Sequence, residues 1–200
     1  MASTATPRLA RPERRDLVLR AGGAEFGRRG YAEARIEDIA RAAGVTKPIV
    51  YRHFESKKGL YLALLRKHET DLPTFLEGAG EGTVPILELW LDYVRANSHA
   101  WLMLFRDHSG DDEIRRVRAE VSVTARKVLA AFVAGRRPDL AQAEVEPIAE
   151  MLTSGLAGLA LWWIDRPDTP KAVVLAAATS FTEPVLTTKK TDGATKDAAG

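Results

Sequence analysis

The chain has no cysteine, which removes disulfides, thiolate nucleophiles and thiolate metal sites together. It also lacks a long apolar run: the longest, Gly155 to Ile164, is far too short to cross a bilayer. The opening MASTATPRLARPERR has no apolar stretch of the kind a secretory signal needs. A cytoplasmic protein without a membrane partner is the expectation. No segment repeats, and none of any length alternates apolar and polar residues with the period of a strand. Catalytic signatures are missing too: there is no H-E-x-x-H, no G-x-S-x-G and no phosphate loop. The four histidines, His53, His68, His99 and His108, are scattered. His99, Asp107 and His108 come nearest to a metal-binding group, and ordinary core or surface positions account for them better. No catalytic residue, metal or cofactor is therefore assigned, and an enzyme is not expected.

What is present is charge of one sign concentrated at one end. The net charge of +2 conceals 15 Lys and Arg against 8 Asp and Glu in residues 1–70, and 14 against 19 in residues 71–200. A basic front on a mildly acidic body fits a nucleic-acid contact confined to the first third. The 46% hydrophobic content of 200 residues suffices to bury a core.

The apolar spacing predicts helices throughout. The first is expected over about Pro12 to Arg29, with Leu17, Ala21, Ala24 and Phe26 inward and Gly30 ending it. In IEDIARAAGVTKPIVYRHFESK, residues 36–57, two short helices meet at a tight turn. Ile39, Ala40 and Ala43 form the inner face of one, and Gly44 supplies the left-handed residue that stops it. Thr46 is placed to cap the other, with Pro48 in its first turn. Val50 and Phe54 face inward, leaving Lys47, Ile49, Tyr51, Arg52 and His53 outward. Such a helix around a glycine turn is what a helix-turn-helix presents to a major groove. Lys47 and Arg52 can donate to guanine edges or phosphates, and Ile49 can offer only an apolar contact.

This stretch, extended to GYAEARIEDIARAAGVTKPIVYRHFESKKGLYLALL, resembles the N-terminal DNA-binding domain of TetR-family transcriptional regulators (TetR/AcrR-like). The similarity spans about Arg14 to Leu65 and rests on G-Y before the first short helix, D-I-A inside it, A-G-V at the turn, and Y-x-H-F with S-K after the second. It implies phosphate contacts for Tyr51, His53 and Lys57, flanked by Thr46. Ala34 and Arg35 depart from it, standing where a hydroxyl usually caps the entering helix. Arg35 can supply a charged phosphate contact instead.

The remaining chain reads as a helical body: Ser56 to Phe75, a helix opened by Pro85, a short segment His99 to Phe105, and a helix from Asp111 and Asp112 to Gly135. Two apolar helices follow, 143–165 and 169–186, before a polar tail. The expected architecture is all-α with about nine helices. A flexible arm (1–12) leads into a three-helix DNA-binding domain (13–58), a helical ligand-binding and dimerisation domain (59–186) and a disordered tail (187–200). The resemblance implies a homodimer through the last two helices, helped by Gly155, Gly158 and the small residues Ala172, Val173, Ala176, Ala177 and Ser180. It also implies a small-molecule effector pocket, for which Trp90, Tyr93, Trp101, Met103, Phe105, Phe132, Met151, Trp162 and Trp163 are the candidate lining. Asp92, Arg95, Asn97 and His99 are its candidate polar anchors. The function expected is a repressor that leaves double-stranded operator DNA when a small apolar or aromatic effector binds. The alternative is an effector-independent dimeric scaffold or protein-interaction module.

Overall fold

The computed structural model describes residues 11–78 and 82–187, the side chains of residues 72–78 excepted. Every regular element among them is a helix. These are α1 (Arg11–Glu33), α2 (Ile36–Ala42), α3 (Lys47–His53), α4 (Lys57–Gly78), α5 (Thr83–Ala96), α6 (Ser98–Phe105), α7 (Asp112–Arg136), α8 (Gln142–Ile164) and α9 (Lys171–Leu186). The all-α reading holds. The expected arm up to residue 10, and the tail from residue 188, fall outside the described residues.

The inner face of α1 differs from the expected one. Val18, Gly22 and Phe26, four residues apart, are buried together with Leu19 and Gly23. Leu17 and Ala21 lie at the margin and Ala24 points outward, because the stripe is centred on the 18–22–26 row rather than on the larger residues beside it. Gly22 in that row and Gly23 beside it let neighbouring elements come close. A Cβ on Gly22 would stand 3.1 Å from Leu60 Cδ2, and one on Gly23 would stand 2.4 Å from His99 Cδ2. Gly30, with φ of 76° and ψ of 170°, interrupts the helix as expected, but helical turns resume as far as Glu33.

One core joins α1 to α4 with the helical body. Val18, Phe26, Ile39, Val50, Leu60, Tyr61 and Leu65 share it with Met103 of α6 and with Ile114, Val117 and Val121 of α7. The first half of α4 thus belongs to the N-terminal core, and α6 packs along α1. Asp111 caps α7 through its side chain, which accepts from the Glu113 and Ile114 amides at 3.0 and 3.2 Å. Two smaller clusters hold the rest: Leu91, Val94, Ala160, Trp163 and Val174 between α5, α8 and α9, and Val133, Val145, Leu152 and Leu186 between α7, α8 and α9.

Helix α8 runs well beyond the ten-residue apolar stretch within it. Among the described residues it alone is long and apolar enough to span a membrane by length and composition, yet 28% of its apolar window is buried inside the chain. Its open side is a stripe of Met151, Ser154, Gly155, Gly158 and Trp162. Beside it α9 exposes Ala172, Val173, Ala176, Ala177, Ser180 and Phe181.

Candidate nucleic-acid interface

The turn between α2 and α3 is built as a Schellman motif. Gly44 takes φ of 65°, the Val45 amide donates to Ala40 O at 3.0 Å, and the Gly44 amide donates to Arg41 O at 3.1 Å. Below the turn, Ile39, Ala40 and Val50 are buried at 0–4% exposure and Phe54 at 5%, so α3 rests on a dry base. At the N-termini of both short helices the side-chain caps are missing. Arg35 occupies the cap of α2 without a side-chain hydrogen bond, and Glu37 with Asp38 in the first turn offset this through the helix dipole. Thr46 occupies the cap of α3 in extended backbone, but its hydroxyl makes no capping bond. That corrects its expected role as a cap and leaves the exposed hydroxyl available to a partner.

The outward face of α3 carries Lys47, Pro48, Tyr51 and Arg52, all exposed, with Ile49 and His53 half-buried. Lys47 forms an ion pair with Glu37 of α2 and lies 5.8 Å over the Tyr51 ring. The pairing raises the Lys47 ammonium and lowers the Glu37 carboxyl from their ordinary values, chiefly through the shared hydrogen bond. Ile49, Arg52 and His53 line a concavity of about 230 Å³ with Arg11 and Arg14 of α1. Burial, then Arg11, Arg14, Arg15 and Arg52, push the His53 imidazole below its ordinary pKa. Arg11 and Arg14 were visible in the sequence only as part of a basic N-terminal run. It takes the packing of α1 on α3 to set them beside the exposed helix.

A second concavity of about 580 Å³ lies on the other flank. Arg29, Arg35, Tyr51 and Lys57 line it together with Glu33 and Glu37. Lys57 is not a loose surface ammonium. It donates to Ala32 O at 3.2 Å and Ala34 O at 3.0 Å and sits 4.6 Å over the Tyr31 ring. An ammonium has three N–H donors, so one is left for an anion. The neighbouring Lys58 is directed elsewhere, to Glu113 at 2.9 Å and Asp111 at 3.4 Å. Of the nine residues expected at the interface, Lys47, Pro48, Ile49, Tyr51, Arg52 and His53 lie on α3, Thr46 at its cap, and Arg35 and Lys57 around this second concavity.

The nine candidate pocket residues do not converge. Trp90, Trp101 and Trp163 belong to the α5–α8–α9 cluster, where Trp101 meets Trp90 edge-on at 6.0 Å and stacks on Phe105 at 5.8 Å. Met103 is buried in the N-terminal core, and Phe132 packs in the third cluster. Phe105, Met151 and Trp162 are exposed at 39, 65 and 41%. Helical spacing cannot tell which turn of a long helix meets which neighbour, and these helices divide the aromatics among separate contacts. Of the proposed anchors, Asp92 pairs with Lys171 at 2.5 Å, Arg95 lies over the Trp163 ring, and Asn97 donates to Tyr93 O at 3.1 Å.

A buried polar group does occur where α4, α5 and α6 meet. The Tyr93 hydroxyl lies 2.6 Å from His68 Nδ1 and donates to Asp71 at 3.2 Å, and the His99 ring lies 5.6 Å from that of His68. A carboxylate only accepts, so the phenol proton goes to Asp71 and His68 Nδ1 is the donor to Tyr93. Burial, with His99 as a lesser cause, lowers the His68 imidazole to about 4. Sequence spacing pointed to Tyr93 and His99 separately and missed His68.

Residues 18–64 match the profile of the bacterial regulatory proteins, tetR family. The HTH-type transcriptional activator FasR of Mycolicibacterium smegmatis is 36% identical over 107 residues, 50% of this chain and 49% of the relative. The HTH-type transcriptional repressor SCO4008 of Streptomyces coelicolor is 27% identical over 159 residues, 78% of this chain and 81% of the relative. The match to the first of these spans about half of that relative's length. In three dimensions the chain is similar to a transcriptional regulator from Aquifex aeolicus, with TM-score 0.72, 17% identity, and 86% and 99% of the two chains covered. It is similar also to the FadR regulator of Bacillus subtilis in complex with stearoyl-CoA, with TM-score 0.66, 14% identity, and 86% and 97% covered. At these identities the two structures share a fold with the chain.

Proposed function

We propose that the chain, whose residues 18–64 match the tetR family of bacterial regulatory proteins, is a homodimeric repressor of that family that binds operator DNA through α3. The observation that carries this reading is the exposed row Lys47, Tyr51 and Arg52 on a helix whose other side is anchored by Val50 and Phe54. Basic concavities flank that row on both sides. Arg52 and Lys47 read base edges; Thr46, His53 and Pro48 border the groove, and Ile49 gives an apolar contact. Tyr51, Lys57, Arg35, Arg11 and Arg14 hold phosphates, which position the protein without reading sequence. In duplex binding, Lys47→Ala and Arg52→Ala are expected to weaken affinity and relax base preference. Tyr51→Phe and Lys57→Ala are expected to weaken all sequences alike. Unchanged affinity in all four variants would overturn this assignment.

Dimerisation is proposed through α8 and α9. Their open sides form adjoining stripes of small and apolar residues, of which Met151 and Val173 are 65% and 56% exposed, and burial of such a stripe favours association. A Cβ on Gly155 would meet the Phe181 ring at 2.7 Å, while Gly158 has open space above it. A two-fold pairing of this face sets two α3 helices on successive major grooves, ~34 Å apart or a multiple of that distance.

A small effector is proposed to bind among α4, α5 and α6, around Trp90, Trp101, Tyr93 and His68, rather than against all nine candidate aromatics. Tilting of α4 and α6 against α1 would then couple that site to the interface, and effector and DNA would weaken each other reciprocally. FasR is named an activator and SCO4008 a repressor. A reporter placed behind the operator decides the sign here: its expression rises on deletion of a repressor and falls on deletion of an activator.

A further inference from the structure

Asp107 lies outside the DNA-binding helices, in the turn between α6 and α7, yet its carboxylate ends inside them. Oδ2 accepts from the Tyr31 amide at 2.8 Å and from the Tyr61 hydroxyl at 2.7 Å, while Oδ1 accepts from the Ser109 amide at 3.0 Å. Its backbone carbonyl accepts from Arg118 of α7. Tyr31 begins the turn opened by Gly30, whose left-handed backbone faces Asp107 Oδ1 at 3.8 Å from the place a Cβ would take. The same turn supplies the two carbonyls, of Ala32 and Ala34, that fasten the Lys57 ammonium. The Tyr31 ring supports that ammonium from below, and the turn ends at Arg35. Two of the three cations of the larger concavity, Lys57 and Arg35, are therefore fastened to or end a turn whose first amide is held by a residue of the helical body.

We propose that Asp107 is a positioning residue for DNA binding: it holds the turn before α2 in the register that places Lys57 and Arg35 for phosphate, and so makes the α6–α7 turn the body's grip on the interface. Asp107 touches no DNA itself and acts through Tyr31. This rests on the operator-binding reading above. A charged acceptor holding a backbone amide in a partly buried site is a strong restraint. With it gone, the Gly30 backbone has wide freedom, and the Tyr31 amide loses its charged acceptor although the Tyr31 ring still packs on Phe26 and Tyr61. Tyr61→Phe gives the internal control, because it removes the hydroxyl that shares Asp107 Oδ2 and keeps the ring that packs on Tyr31 at 5.2 Å.

The test measures affinity against salt for the duplex that the full-length wild-type chain selects from random DNA. Asp107→Ala is expected to bind at least tenfold more weakly, with a log–log salt slope shallower by about one to two, the signature of losing one or both of the Lys57 and Arg35 phosphate contacts. Tyr61→Phe is expected to melt lower while keeping affinity within about twofold and the slope unchanged. Asp107→Asn, which retains a carbonyl acceptor for the Tyr31 amide, is expected to recover most of the loss. If Asp107→Ala melts lower but keeps the wild-type affinity and slope, its role is structural and the proposal is overturned. If that variant does not fold, hydrogen exchange in the wild type decides: a Tyr31 amide further protected by duplex supports the proposal, and a freely exchanging one refutes it. Failure of the wild type to select any duplex defeats the operator-binding reading instead, which separates the two failures.

Discussion

The His99 ring on α6 occupies the space above Gly23 on α1 so fully that a Cβ on Gly23 would stand 2.4 Å from its Cδ2 and 2.6 Å from its Nε2. One turn on, a Cβ on Gly27 would meet the His99 backbone at 3.0 Å. The helical body thus touches the DNA-binding half through a notch that only glycine leaves open. Gly23→Ala is expected to destabilise the fold by about 1–3 kcal/mol through overpacking. Adding His99→Ala to it should recover part of that loss, since residues in contact couple. Urea unfolding of the two single variants and the double variant measures this, and strict additivity would show that the notch is not the cause.

Lys47 is tied to Glu37 in the free chain, although it faces the groove that DNA would enter. An exposed ion pair of this kind contributes little to stability, so its main effect is to compete with phosphate or base for the ammonium. Glu37→Gln is therefore expected to bind duplex several-fold more tightly with an unchanged melting temperature. Weaker binding would mean that Glu37 is needed to aim Lys47.

The buried imidazole of His68 links fold and pH. Its folded-state pKa is lowered from 6.5 to about 4, mainly by burial, so the unfolded chain binds the proton more readily. Stability from this group is complete above about pH 6.5, falls as pH drops toward 4, and levels off below. The melting temperature should follow that course, and His68→Gln should flatten it over the same window. His99, which burial also lowers, leaves a smaller residual slope. A curve for His68→Gln that parallels the wild type would contradict the assignment.

On α9, Ala177 lies in the exposed small-residue stripe. Ala177→Arg places a charge where the proposed partner helix must pack, while leaving the inner face of Val174 and Ala178 intact. Sedimentation is expected to show a folded monomer, and duplex binding should lose cooperativity between half-sites. A dimer that persists would move the interface elsewhere.

The helix-turn-helix was legible because each of its steps depends on a local rule. Gly44 marks the left-handed residue, Val50 and Phe54 the inward row, and the absent hydroxyl at Arg35 the missing cap. The α1 face was less legible. Its centre holds Gly22 and Gly23, which carry no apolar signal of their own and are buried because Leu60 and His99 press on them. The pocket residues failed for a related reason. Periodicity identifies a buried side but not the neighbour that buries it, so nine aromatic and methionine positions looked like one lining and instead serve different contacts. Lys57 shows the same limit: spacing put it at the start of α4, whereas its attachment to the Ala32 and Ala34 carbonyls follows from a turn bent back by Gly30.

Selection of bound duplexes from random DNA with the purified full-length chain, followed by affinity at several salt concentrations, decides whether α3 reads operator DNA. Enrichment of a near-palindromic site with half-sites one helical turn or a multiple apart is expected, with log K falling steeply and linearly with log salt. No enrichment, or binding with a flat salt dependence, would contradict operator reading by α3.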